Sequence, residues 1–70
     1  METKQITNSS QVIEIGYDKD SKIFVVTYSN KAKYNYYDVE PNLWDKATSA
    51  ESTGKFISAF IKPHKFKKVA

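Results

Sequence analysis

Aromatic and cationic side chains lie together in a short central stretch of the chain, Lys33-Tyr34-Asn35-Tyr36-Tyr37. Tyrosine rings on an extended strand can stack against nucleic-acid bases while each ring keeps a hydroxyl near water. Lysine side chains beside them can neutralise phosphates, and single-stranded nucleic acids are bound by this combination of groups. The same rings can instead pack beneath a helix as part of a core. Residue types alone leave both interpretations open.

The alternation of a strand places these rings on two faces. Tyr34 and Tyr36 share one face, and Tyr37 points to the other. Because the chain offers few other large apolar groups, we expect Tyr34 and Tyr36 to lie mainly in the core or at its edge. Tyr37 is then the more accessible ring. Trp44 is expected to anchor a helix rather than to contact a ligand.

Positive charge is concentrated towards the carboxyl terminus. The chain has 11 basic and 8 acidic residues, for a net charge of +3, and no acidic residue follows Glu51. Such a segment attracts phosphate polymers or an acidic protein surface, although a solvated terminus that aids solubility explains it equally well. All the basic residues are lysines, so binding would depend on point charges and stacking rather than on guanidinium forks. The candidate nucleic-acid-binding residues are Tyr34, Tyr36, Tyr37, Lys33, Lys55, Lys62, Lys65, Lys67 and Lys68.

No arrangement of nucleophiles or acids predicts an enzyme. Ser52-Thr53-Gly54 resembles a helix cap rather than a nucleophile elbow, and His64 follows a proline at a position expected to be exposed. Asp18 and Asp20 lie in a predicted turn, where capping and solvation explain them better than acid–base work. With no cysteine and one histidine, a metal site is not expected, and without a glycine-rich loop no cofactor is expected either.

The length of 70 residues allows one domain, near the lower limit for a single core without a disulfide or metal. Apolar residues occur in short runs, and the amino terminus lacks the basic and then apolar pattern of a signal peptide. We therefore expect one soluble domain over residues 1–70, located in the cytoplasm and not bound to a membrane.

Three strands are predicted from the period-two pattern, over 11–17, 22–28 and 32–39, with turns at 18–21 and 29–31. In the first strand Ile13, Ile15 and Tyr17 share a face. The second strand is apolar on both faces, so it is expected to be central. Asn30 is the candidate for a left-handed backbone conformation in the second turn.

Two short helices follow. Pro41 suits a first helical turn, after which Leu43, Trp44 and Ala47 point inward. The second helix is expected to begin at Ser52 or Thr53, to end before Pro63, and to cover the sheet with a stripe formed by Phe56, Ile57, Phe60 and Ile61. Gly54 lowers helix propensity by about 1 kcal/mol against alanine unless a close approach requires it, and the tyrosine strand is the expected neighbour.

The predicted fold class is α+β, a three-stranded antiparallel meander followed by two short helices packed on one face. Residues 1–8 and 65–70 are expected to be flexible, and Phe66 and Val69 are the residues of the basic tail that would dock back onto the fold.

The order of short motifs along the chain resembles the KTSC domain family over nearly the whole length. The matching elements are Ser9-Ser10, Ile15-Gly16-Tyr17-Asp18, Tyr34-Asn35-Tyr36, Asp38-Val39, Pro41, the run Ala50-Glu51-Ser52-Thr53-Gly54-Lys55-Phe56, and Ile61. The resemblance implies a central element built on Tyr34 and Tyr36, and a module that occurs at the end of some lysyl-tRNA synthetases and as stand-alone bacterial and phage proteins. It also carries a suggestion of RNA binding. The chain departs from the family pattern at Ser58, where asparagine is common, and at Asn30-Lys31, where glycine is common.

Two binding hypotheses follow, beside a third in which the domain has a purely structural role within an assembly. The first is a small non-enzymatic module that binds RNA or single-stranded nucleic acid through its lysines and strand tyrosines. The second is a protein-interaction module that docks on a host protein or self-associates through an open sheet face or edge strand. A phage origin is one form of this hypothesis. The sequence leaves the ligand and the oligomeric state open.

Overall fold

A five-stranded antiparallel sheet, with its strands in chain order, forms one layer of the fold, and helices cover one face of it. The computed structural model describes residues 1–69. The elements are β1 Glu2–Gln5, β2 Val12–Asp18, β3 Ile23–Tyr28, β4 Lys33–Tyr36, α1 Pro41–Ser49, α2 Thr53–Phe56 with a π-helical continuation over Ile57–Ile61, and β5 Phe66–Lys68. The α+β class and the antiparallel meander are confirmed, and the predicted count of three strands was too low.

The two strands that the sequence did not predict lie at the two edges of the sheet. Every residue of β1 and β5 is exposed, so neither strand shows the alternation of buried and exposed side chains by which a strand is recognised. Pairing holds them in place, with β1 beside β2 and β5 beside β4. Flexibility of segments 1–8 and 65–70 stays a prediction, and Ala70 lies outside the described residues.

A β-bulge corrects the predicted facing of β2. The register with β3 shifts between Val12 and Glu14, so the alternation is broken once. Val12 therefore joins Ile15 and Tyr17 in the core, while Ile13 is 43% exposed. The prediction that Ile13 shares the core face was wrong, because a strict period of two does not anticipate an extra residue.

The turn between β3 and β4 places its left-handed residue one position later than predicted. The positive φ, 70°, belongs to Lys31. Asn30 instead accepts a hydrogen bond from the amide of Ala32 through its Oδ1, at 3.0 Å. The preceding turn, between β2 and β3, behaves as expected, with the Asp18 carboxylate accepting from the amide of Asp20 at 3.1 Å.

Strand β4 ends at Tyr36, three residues before the predicted end. Asp38 has a φ of 59°, which turns the chain out of the sheet. Val39 is nevertheless fully buried, and its amide donates to the carbonyl of Lys22 at 3.0 Å. An exposed ion pair between Lys22 and Glu40, at 3.2 Å, spans the same junction.

Helix α1 begins at Pro41 and packs on the sheet as predicted. Trp44 and Ala47 are buried, and Leu43 packs against the core. The indole lies 5.9 Å from the ring of Tyr17 in a stacked arrangement and 5.7 Å from the ring of Phe24 edge-on. These contacts confirm that Trp44 is a helix anchor.

The second helical segment buries its isoleucines but not both of its phenylalanines. Ser52 caps α2 by accepting from the amide of Lys55, as predicted. Ile57 and Ile61 are fully buried, whereas Phe60 is 54% exposed, so the predicted inward position of Phe60 was wrong. The amide of Lys62 donates to the carbonyl of Ile57, five residues earlier. A π turn holds more residues than an α turn, so each residue advances by a smaller angle around the helix axis. The side chain of Phe60 therefore lies farther from the side of the helix that faces the core.

Gly54 stands where another part of the chain approaches α2 closely. A Cβ built on Gly54 would lie 2.8 Å from the Oγ of Ser9. The close approach predicted for this glycine is real, but the neighbour is the connection between β1 and β2 rather than the tyrosine strand. The Ser9 hydroxyl is itself held by the amides of Gln11 and Val12, each at 3.2 Å.

We expect Gly54→Ala to destabilise the protein by about 1 kcal/mol, since the overlap with Ser9 outweighs the gain in helix propensity. In a Ser9→Ala background the same substitution should be neutral or stabilising, because the Ser9 Cβ lies at an ordinary 3.6 Å. Urea denaturation of the four proteins measures this coupling. An effect of Gly54→Ala that is the same in both backgrounds would contradict it.

Candidate functional site

Four aromatic rings gather on the helix-covered face at the β5 edge of the sheet, from Tyr28, Tyr34, Tyr36 and Phe66. The register places Phe66 opposite Tyr36, and the period of two puts Tyr34 on the same face. The ring centroid of Tyr34 lies 5.5 Å from that of Tyr28, edge-on, and 5.8 Å from that of Phe66. We call these four residues the aromatic cluster.

An open cleft of about 590 Å³ lies against the aromatic cluster, which forms much of its wall. The other lining residues are Gln11, Ser29, Asn30, Ala32 and Lys62. Lys62 is the charged residue of the lining, and no carboxylate of the described residues lines it. The site therefore combines apolar ring faces, amide and hydroxyl groups, and one positive charge. We call it the aromatic cleft.

Two tyrosine hydroxyls meet within the aromatic cluster. The hydroxyl oxygens of Tyr28 and Tyr36 lie 3.0 Å apart, and either group can donate. Burial raises the pKa of Tyr28 far above its ordinary value, and the hydrogen bond with Tyr36 raises this pKa further. Tyr28 is therefore neutral at physiological pH and serves as a hydrogen-bonding group rather than as a base.

Tyr17 has a structural role instead. Its side chain is 1% exposed, and its hydroxyl donates to the carbonyl of Val39 at 2.6 Å. Burial raises the pKa of this hydroxyl, and the nearby charge of Glu40 adds to that shift. Tyr17 belongs to the closed core beneath α1 and lines neither cleft.

The structure brings some of the predicted binding residues together at the aromatic cleft. Tyr34, Tyr36 and Lys62 line it, and Lys68 lies directly opposite Tyr34 on β5, hence on the same face of the sheet. Tyr36 is 4% exposed and belongs mainly to the core, while Tyr34 is half-buried at its edge. The expectation that both rings are core or core-edge is met.

The other predicted residues lie elsewhere. Lys33 and Lys67 alternate with the cleft-side residues of β4 and β5, which places them on the uncovered face of the sheet. Tyr37 follows β4, is half-buried, and donates its amide to the carbonyl of Lys65 at 2.8 Å. Lys55 lines a second cleft. The predicted lysines therefore do not form a single patch.

The second cleft has a volume of about 550 Å³ and lies where the β1–β2 connection meets the second helical segment. Its lining residues are Asn8, Ser9, Ser10, Gln11, Ser52, Gly54, Lys55, Ser58 and Ala59. Most of them carry a hydroxyl or an amide, and no aromatic ring is among them. We call it the hydroxyl cleft.

Sequence reasoning missed Gln11 and the serines as site residues, and it left Phe66 outside the candidate set. Phe66 carried one signal, because it is an aromatic residue between two lysines in the basic tail. Gln11 carried none, and Ser10 carried only its place in the family motif Ser9-Ser10, since the cleft that they share with Ser58 depends on the packing of segments far apart in sequence.

The fold and the aromatic cleft together define a class of protein, a small α+β domain with an antiparallel sheet covered on one face and an open ring-lined edge. A sequence model of the KTSC domain matches residues 8–66, and the chain belongs to the KTSC domain family. The family resemblance seen in the sequence is thereby confirmed.

Relatives and a solved structure agree with this assignment. A protein from Tsukamurella paurometabola is 38% identical over 66 residues, covering 94% of this chain and 97% of that protein. An uncharacterised protein from Stutzerimonas stutzeri is 30% identical over 59 residues, covering 84% of this chain and 83% of its own. The crystal structure of a KTSC domain protein from Yersinia pestis has a TM-score of 0.91 at 26% identity, covering 99% of this chain and 97% of that one. These comparisons establish the family and the fold, and they name no ligand.

Within residues 1–69, neither helical segment has the length and apolar character needed to cross a membrane.

We expect Tyr28→Phe to cost about 1 kcal/mol at pH 7, because the hydrogen bond to Tyr36 is lost. A tyrosine whose pKa is raised by folding contributes its full stability below its ordinary value of about 10 and loses it as the pH rises above that value. Phenylalanine cannot ionise, so the difference between the two proteins should shrink above about pH 10.

Urea denaturation at neutral and alkaline pH measures this change. Tyr37→Phe is the control, since the Tyr37 hydroxyl makes no hydrogen bond within the described chain. A stability difference for Tyr28→Phe that stays constant with pH would overturn the expectation.

Proposed function

We propose that this protein is a non-enzymatic module that binds RNA or another single-stranded nucleic acid in the aromatic cleft. The observation that carries the proposal is the composition of the cleft, in which four aromatic rings meet one lysine and no carboxylate of residues 1–69. Rings and lysines without acidic neighbours are the groups that bind unpaired bases and their phosphates.

Phe66 and Tyr34 are the rings best placed to receive a base. Phe66 is 58% exposed although it contacts both Tyr34 and Tyr36, so one part of its ring packs and another part meets solvent. Every base has a π face, so stacking on these rings is tolerant of sequence. Gln11 and Asn30 present amides at the rim that can bond to base edges.

Lysine point charges supply the contacts with the backbone. Lys62 lines the cleft, and Lys68 lies on the same face at the β5 edge. Because lysine lacks the guanidinium fork, these contacts confer affinity without sequence readout. The proposal therefore implies a dissociation constant of about a micromolar or weaker, rising steeply with salt.

Phe66→Leu should raise the dissociation constant for a labelled single-stranded oligonucleotide about fivefold or more, because leucine keeps apolar volume but cannot stack. Phe60→Leu is the matched control, since Phe60 is 54% exposed but lines neither cleft. Fluorescence anisotropy at low salt gives both constants. Equal effects of the two substitutions would remove the aromatic cleft from the binding site.

Lys62→Ala should reduce the slope of log affinity against log salt concentration by about 0.7, the value for one phosphate contact with a single strand. Lys46→Ala is the matched control, because Lys46 is an exposed helical lysine that lines neither cleft. Anisotropy titrations at several salt concentrations measure both slopes. The same slope for Lys62→Ala and the parent protein would argue against a phosphate at this position.

A protein-interaction module is the second candidate, and the exposed edge strand β5 favours it. All three residues of β5 are exposed, and the sheet order gives its outer edge no partner strand within residues 1–69. Such an edge can pair with a strand of a host protein or of a second copy. Capture from a nuclease-treated bacterial lysate separates the two proposals, because a partner that persists favours the second and one that disappears favours the first.

A further inference from the structure

The aromatic cleft and the hydroxyl cleft are neighbours on one side of the molecule. Gln11 lines both of them. Lys55 and Ser58 line the hydroxyl cleft, and Lys62 lines the aromatic cleft. Spacings of three and four residues place these three side chains along one side of the second helical segment. A ligand that leaves the aromatic cleft past Gln11 therefore enters the hydroxyl cleft.

The polar groups of the hydroxyl cleft fall into two sets. One set maintains the fold, since the amide nitrogen of Asn8 donates to the carbonyls of Ala50 and Glu51, and the Ser9 hydroxyl accepts from two backbone amides. The other set has no hydrogen-bond partner within residues 1–69. It comprises the Oγ of Ser10, the side-chain amide of Gln11, the Nζ of Lys55 and the Oγ of Ser58, all on exposed residues of the lining.

The unpartnered set has the chemistry of a sugar-phosphate site. Hydroxyls and an amide both donate and accept hydrogen bonds, which matches the ribose 2′-hydroxyl, itself a donor and an acceptor. Lys55 adds one positive charge for a phosphate. Among residues 1–69, no aromatic ring on which a base could stack lines this cleft. The two clefts thus present complementary chemistry, rings for a base in one and hydroxyls for a ribose in the other.

We infer that a strand with its base in the aromatic cleft places the ribose and phosphate of the adjoining nucleotide in the hydroxyl cleft, so that the protein prefers RNA to DNA. The inference rests on the proposed function and specifies the nucleic acid that the site selects. Ser10 and Ser58 bond the 2′-hydroxyl, Gln11 lies between the two nucleotides, and Lys55 meets the phosphate.

The test compares an oligouridylate with its 2′-deoxy counterpart, both of about ten nucleotides, by fluorescence anisotropy at low salt. The two probes carry the same base and differ only at the 2′ position. We expect the parent protein to bind the RNA about fivefold more tightly, the gain from one hydrogen bond. The joint variant Ser10→Ala and Ser58→Ala should lose this preference by weakening RNA binding while leaving DNA binding unchanged.

Ser21→Ala is the control, because Ser21 is an exposed turn residue that lines neither cleft. Equal binding of both probes by the parent protein would overturn the inference and leave the proposed function intact. A preference that survives the joint substitution would also overturn it, since the discrimination would then arise elsewhere. If neither probe bound, the proposed function would fail and the inference with it.

Discussion

The packing of Trp44 against Tyr17 and Phe24 holds the helical layer on the sheet, and the rest of the structure depends on it. A chain of 70 residues without cysteine must obtain its stability from a small core, and large rings bury the most apolar surface per residue. With Tyr17 and Phe24 covered by the indole, this part of the core is closed. Tyr34 and Phe66, nearer the β5 edge, have no such cover. Tyr34 is therefore half-exposed on the same sheet face, next to residues that are fully buried.

The pattern of side chains along the sequence predicted the elements whose formation depends on residues close together in the chain. The β-branched run of β3, the proline at the start of α1 and the serine cap of α2 each express a preference of the backbone or of a few neighbours. Strands β1 and β5 form instead because each pairs with the backbone of a neighbouring strand. Their side chains are exposed, so the sequence pattern does not indicate this pairing. The bulge at Val12 and the π turn after Phe56 likewise depend on how two elements fit, so a fixed period misassigned Ile13 and Phe60.

The site was predicted in part for the same reason. Tyr34, Tyr36 and Lys62 could be named from residue type, and the structure brings them to one cleft. Lys33 was named for its charge although the period of two places it on the face opposite Tyr34. Lys67 could not be assigned to a face, because β5 was not predicted as a strand. The hydroxyl cleft could not be named at all. Its walls come from segments more than 40 positions apart, which the bonds from Asn8 to the region before α2 hold together.

The order of the strands also separates β1 from β5. Strand β1 forms one margin of the sheet and β5 the other, with three strands between them. The aromatic cleft is built on the β5 margin, where Phe66 is part of its wall. An affinity tag or fluorescent reporter fused after residue 69 would emerge beside the cleft and occupy space at its mouth. The same fusion placed before β1 would lie at the opposite margin of the sheet, and the cleft would stay open.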